Sequence, residues 1–291
     1  MVQPPSAPVH LPQTLRGDYS QAAADYTVEQ QWQGYSDEEH GIWAQLYARQ
    51  IKLIERYAAP QFLEGVRVLG ASSTHIPRLE EANRVLADLT GWRIVAVPGL
   101  IPEQNFFDHL AHRRFPVTVW IRRQQELDYL VEPDVFHDFF GHVPLLTIPA
   151  FARFMQAYGE AGAKALAIPG ALRMLSRLYW YMVEFGLIHT AAGLRVYGAG
   201  ILSSQGETVY SLESAQPRRW RFNLLRVMRT DYRIDAFQQT YFVLESVEEL
   251  FEACYATDFE PLYRRFAATP AFAADACVPG DVPVAAQAPA R

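Results

Sequence analysis

Apolar side chains recur at helical spacing through the middle of the chain. Ser36 and Glu39 form a capping box at the start of the first predicted helix. The apolar face of that helix contains Ile42, Leu46, Ile51 and Ile54. A second helix is predicted over residues 76–91, and Ser246 and Glu249 repeat the capping-box pattern before another. This periodicity indicates a mainly helical protein.

Residues 171–188 predict a long and heavily buried helix, whereas the strand-like runs are short. These runs are WRIVAVP (92–98), FPVTVWIR (115–122), LRVYGAG (194–200) and ETVYSLE (207–213). Neither the glycine motif of dinucleotide-binding folds nor that of P-loop proteins is present. The predicted fold is therefore mainly α with a small β component, and a parallel doubly wound sheet is not expected.

The two ends of the chain differ in composition from the middle. Residues 1–30 are rich in Pro, Gln and Ala, and residues 268–291 are rich in Ala and Pro. We interpret both as mobile or disordered tails around a single domain at residues 31–267. The last segment lacks the heptad pattern of an oligomerisation helix, so we expect a monomer. Truncation after Ala268 is then expected to change neither the particle mass nor the function.

Composition and charge narrow the classes of function. Half of the residues are apolar and 20% are charged, with a formal net charge of −6. A nucleic-acid partner is not expected, because the basic excess typical of such proteins is absent. A membrane span is not expected either, since no apolar run approaches the required length. Two cysteines are too few for a disulfide framework, and no secretory signal is visible, which favours the cytoplasm.

The segment EPDVFHDFFGHVP, residues 132–144, contains the first candidate metal ligands. Pro133 suits the first turn of a helix, and Gly141 suits its C-terminal end. His137 then lies in the last turn, and His142 follows it. On a straight α-helix, side chains five residues apart point about 140° away from each other. The two imidazoles can therefore converge only if the chain tightens or turns at Gly141. Otherwise they are separate core histidines.

A carboxylate in apolar sequence adds a third candidate ligand. Glu184 lies within YWYMVEFGLI, and burial of an unpaired carboxylate costs several kcal/mol. Its partner is either an arginine, for which Arg173 and Arg177 are candidates, or a metal cation. Two histidines and one carboxylate form the facial triad of oxygen-activating non-haem iron(II) enzymes. The spacing of these residues fits neither the H-E-x-x-H motif of zinc peptidases nor the H-x-[DE] motif of 2-oxoglutarate enzymes.

Three blocks of sequence carry a resemblance to a known family. EPDVFHDFFGHVPLL, YWYMVEFGL and YGAGILSSQGE resemble, in order and separation, the pterin-dependent aromatic amino acid hydroxylases. With their flanks, these blocks span roughly residues 90–260. The chain is most similar to the compact bacterial members that hydroxylate phenylalanine. It has room for neither the regulatory domain nor the tetramerisation helix of the larger animal members.

The resemblance implies a function for each matching residue. Iron(II) is expected at His137, His142 and Glu184. The residues implied at the tetrahydropterin, tetrahydrobiopterin or a relative of it, are Gly99, Leu100, Ile101, Phe106, Asp138, Tyr179 and Glu207. The residues implied at the amino acid are Arg122, Pro133, Trp180, Phe185, Gly200 and Ser203. A planar guanidinium suits bidentate binding of a carboxylate, which is the role implied for Arg122.

The implied reaction is hydroxylation of L-phenylalanine to L-tyrosine with O2 and a tetrahydropterin. Tyrosine hydroxylases of the family carry an acidic residue where this chain has Ile234, and tryptophan hydroxylases tend to have Phe at Trp180. Asp235 lies one residue from the first of these positions, so hydroxylation of tyrosine or of tryptophan by a member of the same family remains an alternative. A non-catalytic pterin- or metal-binding protein is the other alternative. Leu130-Val131 replaces a Thr-Pro pair of the animal enzymes, which removes one expected substrate contact.

Overall fold

The computed structural model describes residues 15–128, 130–255 and 257–286, and about half of them are helical. The α-helices are α1 Asp37–Tyr57, α2 Pro60–Leu69, α3 Leu79–Leu89, α4 Glu103–Ala111, α5 Pro149–Ala165, α6 Ala171–Tyr179, α7 Ala199–Leu202, α8 Gln205–Glu213, α9 Leu224–Met228, α10 Val247–Tyr255 and α11 Phe259–Phe266. Two π-helices span Phe136–His142 and Trp180–Glu184. The predicted class, mainly α with a small β component, is confirmed.

Helix α1 begins at the predicted capping box. The Glu39 amide donates to Ser36 Oγ at 3.3 Å, and the Ser36 amide donates to the Glu39 carboxylate at 2.8 Å. Ile42, Leu46 and Ile54 are buried, as their helical spacing predicts. The helix predicted over residues 76–91 is α3, which is shorter at both ends.

The strands form two small sheets. In the first, β1 Arg93–Val97 pairs in parallel with β2 Arg114–Thr118. The second sheet has the order β4-β3-β6-β5 and contains β3 Leu187–Thr190, β4 Gly193–Val196, β5 Arg218–Arg221 and β6 Thr240–Leu244. Strand β3 runs antiparallel to β4 and parallel to β6. All five residues of β6 are buried, so this central strand anchors the sheet in the core.

Two secondary-structure predictions are wrong. Residues 207–213 are not a strand but part of α8, which Ser204 caps by accepting the Glu207 amide at 3.4 Å. The helix predicted over 171–188 ends at Glu184, and Leu187 begins β3. Gly186 lies in the connection between them, and a Cβ on it would lie 2.2 Å from the Tyr197 ring. Only glycine therefore allows the chain to pass so close to that ring.

The terminal segments pack on the domain wherever the structure describes them. Near the N-terminus, the Val28 amide donates to the Ala96 carbonyl of β1 at 2.9 Å. Near the C-terminus, the Val284 amide donates to the Arg219 carbonyl of β5 at 2.8 Å. Residues 15–30 and 268–286, which their composition predicts to be mobile, thus include segments that bind to the two sheets. An Ala/Pro-rich chain disfavours helix but can still lie extended along a strand edge.

Cys254 is buried and Cys277 is exposed, and both are free thiols. Across the described ranges, no helix combines the length and apolarity that a bilayer crossing requires.

Candidate metal centre and cavity

The two histidines lie in the same π-helix, Phe136–His142. In a π-helix each amide bonds to the carbonyl five residues earlier, so side chains five apart lie on neighbouring turns of one face. His137 Nε2 and His142 Nε2 are 3.2 Å apart. The imidazoles converge as the metal hypothesis requires. They do so because the helix widens, and not because the chain turns at Gly141.

Gly141 permits the π-helix to pack closely against α7. A Cβ at this position would lie 3.0 Å from the Ala199 carbonyl oxygen and 3.1 Å from the Ala199 Cβ. The backbone of Gly141 is not in the left-handed region, so the requirement is for space rather than for an unusual conformation.

Gly141→Ala is therefore expected to lower the free energy of unfolding by about 1–3 kcal/mol through overpacking and to weaken iron binding. Urea denaturation and iron content after loading measure both effects. Gly41→Ala is the matched control, because a Cβ there meets nothing within 4 Å and alanine favours the interior of α1. Unchanged stability and iron content in Gly141→Ala would contradict the packing argument.

Glu184 ends the second π-helix and completes a triangle with the two histidines. Its Oε1 lies 3.2 Å from His142 Nε2, and its Oε2 lies 3.5 Å from His137 Nε2. Donor atoms bound to one divalent metal lie about 3 Å from each other, which matches this spacing. Arg177, the arginine alternative, instead donates to Asp231 through Nε at 3.0 Å. The geometry therefore favours a cation as the partner of Glu184.

A hydrogen bond behind His137 determines its tautomer. Ser203 Oγ donates to the Ala199 carbonyl at 2.9 Å, so it accepts a hydrogen from His137 Nδ1, also at 2.9 Å. His137 Nε2 is then left with a lone pair that points toward His142 and Glu184. Lone pairs facing each other across about 3 Å require a proton or a metal between them. The donor set therefore fits a metal ion.

The electrostatics of the triangle agree with this reading. Burial raises the pKa of Glu184, but His142 and His137 lower it by more, and the net pKa lies well below the usual range. Burial lowers the pKa of His137, but the Glu184 carboxylate outweighs it, so the net pKa is raised. The Glu184 carboxylate is thus stabilised by positive charge at the centre of the triangle, which a bound cation would supply in place of a protonated histidine.

Asp138 provides a second carboxylate near the histidines. Its side-chain oxygen, His137 and His142 offer donor atoms that all lie within 4.8 Å of one another. However, Asp138 Oδ2 already accepts the Thr118 amide at 2.8 Å. Burial raises the Asp138 pKa, which disfavours its charged form. We favour Glu184 as the third ligand because it lies closer to both Nε2 atoms and its pKa is lowered.

A cavity of ≈ 770 Å³ opens beside His137 and Glu184. Its lining includes ten of the residues predicted for the site: Leu100, Arg122, Pro133, His137, Trp180, Glu184, Phe185, Gly200, Ser203 and Glu207. The predicted residues outside this lining are Gly99, Ile101, Phe106, Asp138, Tyr179 and His142. Lining residues for which the sequence indicated no role include Arg49, Glu132, Ser204, Phe237 and Gln238. Glu132 and Ser204 lie within the quoted blocks but had no implied role, and the other three are separated from those blocks in sequence.

The residues predicted for the amino acid form one charged end and one aromatic wall. Arg122 is buried and makes a bidentate pair with Asp134, at 2.8 Å from Nε and 2.9 Å from Nη2. This pairing leaves donor hydrogens of the guanidinium for a carboxylate in the cavity. The Trp180 ring lies between Tyr232 at 4.3 Å and Phe185 at 4.7 Å. The cavity can thus bind both an anionic group and an aromatic ring.

Of the residues predicted for the pterin, Leu100 and Glu207 line the cavity, and Tyr179 lies beside His142. The rings of Phe106 and Tyr179 are 5.7 Å apart, and Tyr179 is 6.2 Å from the His142 ring. The Leu100 carbonyl in the glycine loop accepts the Tyr19 hydroxyl at 2.8 Å. Gly99 has a φ of 154°, a conformation that side chains rarely adopt. The structure therefore brings the loop and the aromatic rings near the metal centre.

Comparison with known proteins identifies close relatives. Phenylalanine-4-hydroxylase of Chromobacterium violaceum is 54% identical over 263 residues, which cover 90% of this chain and 88% of the relative. Phenylalanine-4-hydroxylase of Caulobacter vibrioides is 51% identical over 260 residues, which cover 89% of this chain and 88% of the relative.

Solved structures agree with this result. The C. violaceum enzyme with bound oxidized Fe(III) matches with a TM-score of 0.88 at 54% identity, over 91% of this chain and 96% of the other. The same enzyme bound to cobalt matches with a TM-score of 0.89, over 91% and 95% of the two chains. The sequence model of the biopterin-dependent aromatic amino acid hydroxylases matches residues 11–268. The chain therefore belongs to the biopterin-dependent aromatic amino acid hydroxylase family.

Proposed function

We propose that this protein hydroxylates L-phenylalanine to L-tyrosine, using O2 and a tetrahydropterin, at an iron(II) bound by His137, His142 and Glu184. The observation that carries the proposal is the triangle of donor atoms, 3.2–3.5 Å apart, at the wall of the ≈ 770 Å³ cavity. His137 and Glu184 line that cavity, so a metal held between them would be accessible to substrate and O2. Four relatives named phenylalanine-4-hydroxylase are 50–54% identical to this chain.

The side chains of the protein have separate tasks in this reaction. Arg122 binds the carboxylate of the amino acid, and the rings of Trp180 and Phe185 hold the phenyl group. The apolar lining excludes water from the reacting ring. When bound, iron and the reduced pterin together supply the reduction of O2 and the transfer of one oxygen atom. Phe106 offers an aromatic face for the pterin ring, and the loop at 99–101 offers backbone groups.

The choice of phenylalanine over tyrosine is supported by the surroundings of Ile234. An apolar residue at this position of the cavity lining offers no partner for a substrate hydroxyl. The neighbouring Asp235 pairs with Arg233, at 3.0 Å from Nε and 2.9 Å from Nη2, and it is 65% exposed. Asp235 also lines the cavity, but its carboxylate is already paired with Arg233.

The function is tested by incubating purified protein with iron(II), a tetrahydropterin, O2 and each aromatic amino acid in turn. We expect L-phenylalanine to yield L-tyrosine at a higher kcat/KM than L-tyrosine or L-tryptophan yields its hydroxylated product. Absence of all three products with iron present would favour the non-catalytic alternative. Light scattering on the same sample tests the expectation of a monomer, and the cytoplasmic location remains a prediction.

Arg122→Lys is expected to raise the KM for phenylalanine about tenfold or more, with iron content unchanged. Lysine keeps the charge, but it cannot pair with Asp134 in bidentate fashion and also orient a carboxylate. Steady-state kinetics measure the effect. Arg123→Lys, at the exposed neighbouring position, is the control and should leave KM unchanged. An unchanged KM in Arg122→Lys would remove this residue from the proposed substrate site.

A further inference from the structure

Gln238 is the one buried residue in the exposed run 233–239, all of which the structure describes. Gln238 is only 3% exposed. The run connects α9 to β6, and residues 234–238 line the cavity. A single buried amide in an exposed connection requires a partner for each of its polar groups.

The side chain of Gln238 joins this connection to the aromatic wall. Its Oε1 accepts the indole N–H of Trp180 at 2.9 Å, and its Nε2 donates to the Arg233 carbonyl at 2.9 Å. The indole N–H can only donate and the carbonyl can only accept, so the orientation of the amide is fixed.

Glu207 of α8 accepts a hydrogen bond from the backbone of Gln238. Glu207 Oε1 accepts the Gln238 amide at 2.9 Å and the Tyr241 hydroxyl at 2.6 Å. Glu207 and Tyr241 are both buried, and Tyr241 lies on the central strand β6. The family resemblance places Glu207 near the pterin, but these contacts direct Oε1 to the support of Gln238. Through Glu207, the backbone of Gln238 is therefore connected to α8 and to β6.

These contacts determine the orientation of the Trp180 ring. Tyr232 stacks on the indole with an interplanar angle of 13°, and the Phe185 ring lies 36° from its plane. Stacking alone allows a ring to slide or rotate in its own plane. The hydrogen bond to Gln238 Oε1 prevents this movement, because rotation would leave a half-buried N–H without an acceptor.

We propose that Gln238 is a positioning residue that sets the selectivity for phenylalanine over tryptophan by fixing the indole of Trp180. A wall that cannot shift keeps the width of the cavity beside Trp180 fixed. The larger ring system of tryptophan would require the wall to move. This inference rests on the proposed function, since it concerns the amino acid bound in the same cavity.

The test is a double-mutant cycle of Gln238→Met and Trp180→Phe. Methionine matches the length of glutamine and lacks its amide, and phenylalanine lacks the indole N–H. Calorimetry on iron(II)-loaded protein, without O2 or pterin, gives the Kd values for L-phenylalanine and L-tryptophan. Gln238→Met is expected to reduce the preference for phenylalanine on the order of tenfold in the wild-type background. With Trp180→Phe, the same substitution should change the preference by no more than about twofold.

Gln239→Met is the matched control, because it is the exposed neighbour, and it should leave the preference unchanged. An equal effect of Gln238→Met in both backgrounds, or no effect in either, would overturn the proposal. If Gln238→Met fails to fold, Gln238→Asn replaces it, because the shortened amide cannot reach the indole. Binding is measured without turnover, so a wild-type protein that binds phenylalanine but forms no tyrosine would refute the proposed function alone.

Discussion

Glu184→Ala is expected to lose bound iron and to reduce tyrosine formation by more than about 100-fold. Removal of a group that only hydrogen-bonds to a metal ligand already lowers metal affinity or activity about 10–100-fold, and removal of a ligand itself should cost more. His137→Ala and His142→Ala should have the same effect. Each change removes one corner of a triangle whose sides are 3.2–3.5 Å. Two donors bind a divalent metal far more weakly than three, because each ligand contributes to one shared centre. Iron content after anaerobic loading and product formation are the measurements.

Asp138→Asn is the control for this series, because Asp138 is the other carboxylate near the histidines. It should retain iron, although it is expected to affect pterin binding. Urea denaturation shows whether each variant remains folded. Near-normal iron in any of the three ligand variants, or loss of iron in Asp138→Asn together with retention in Glu184→Ala, would contradict the assignment.

Asp281→Ala is expected to lower the free energy of unfolding by about 3–5 kcal/mol. Asp281 pairs with Arg226 at 2.9 Å and 3.3 Å, and the two side chains are only 5% and 7% exposed. Removal of the carboxylate leaves a buried guanidinium without its counter-ion. Truncation after Ala268 removes Asp281 and the contact of Val284 with β5, so its effect should be at least as large. The composition of this segment predicts instead a tail that can be removed without a change in particle mass or function.

The measurement is urea denaturation of the wild type, Asp281→Ala and the truncated protein. Asp275→Ala is the matched control, since Asp275 lies in the same segment but is exposed. It should change stability by less than about 0.5 kcal/mol. If Asp281→Ala and the truncation were as stable as the wild type, residues 268–286 would be the dispensable tail that their composition suggests.

The proposed metal ligands could be singled out from the sequence because their signal is local. His137, His142 and Glu184 stand out as polar residues in apolar sequence, and the cost of burying them unpaired points to a shared partner. The geometry of the pair could not be predicted. A π-helix has no distinctive residue pattern. The spacing of five between the histidines of HDFFGH therefore suggested a turn at Gly141, whereas the structure has a π-helix over Phe136–His142.

The errors in the fold have a different cause. The run ETVYSLE alternates like a strand, but its burial follows a helical face once Ser204 caps the segment. The terminal segments look disordered by composition, yet they are held by contacts with distant residues, such as Asp281 with Arg226. The role of Gln238 depends equally on residues far away in sequence, namely Trp180 and Glu207. Local pattern does not reveal contacts of this kind.

Anomalous diffraction at the iron edge, from crystals of the iron(II)-loaded protein, tests the ligand assignment most directly. The assignment predicts one strong peak about 2.0–2.3 Å from His137 Nε2, His142 Nε2 and a carboxylate oxygen of Glu184. It also predicts that Asp138 stays bound to the Thr118 amide and away from the metal. A peak coordinated by Asp138 instead of Glu184, or no peak in crystals of protein that contains iron, would contradict it.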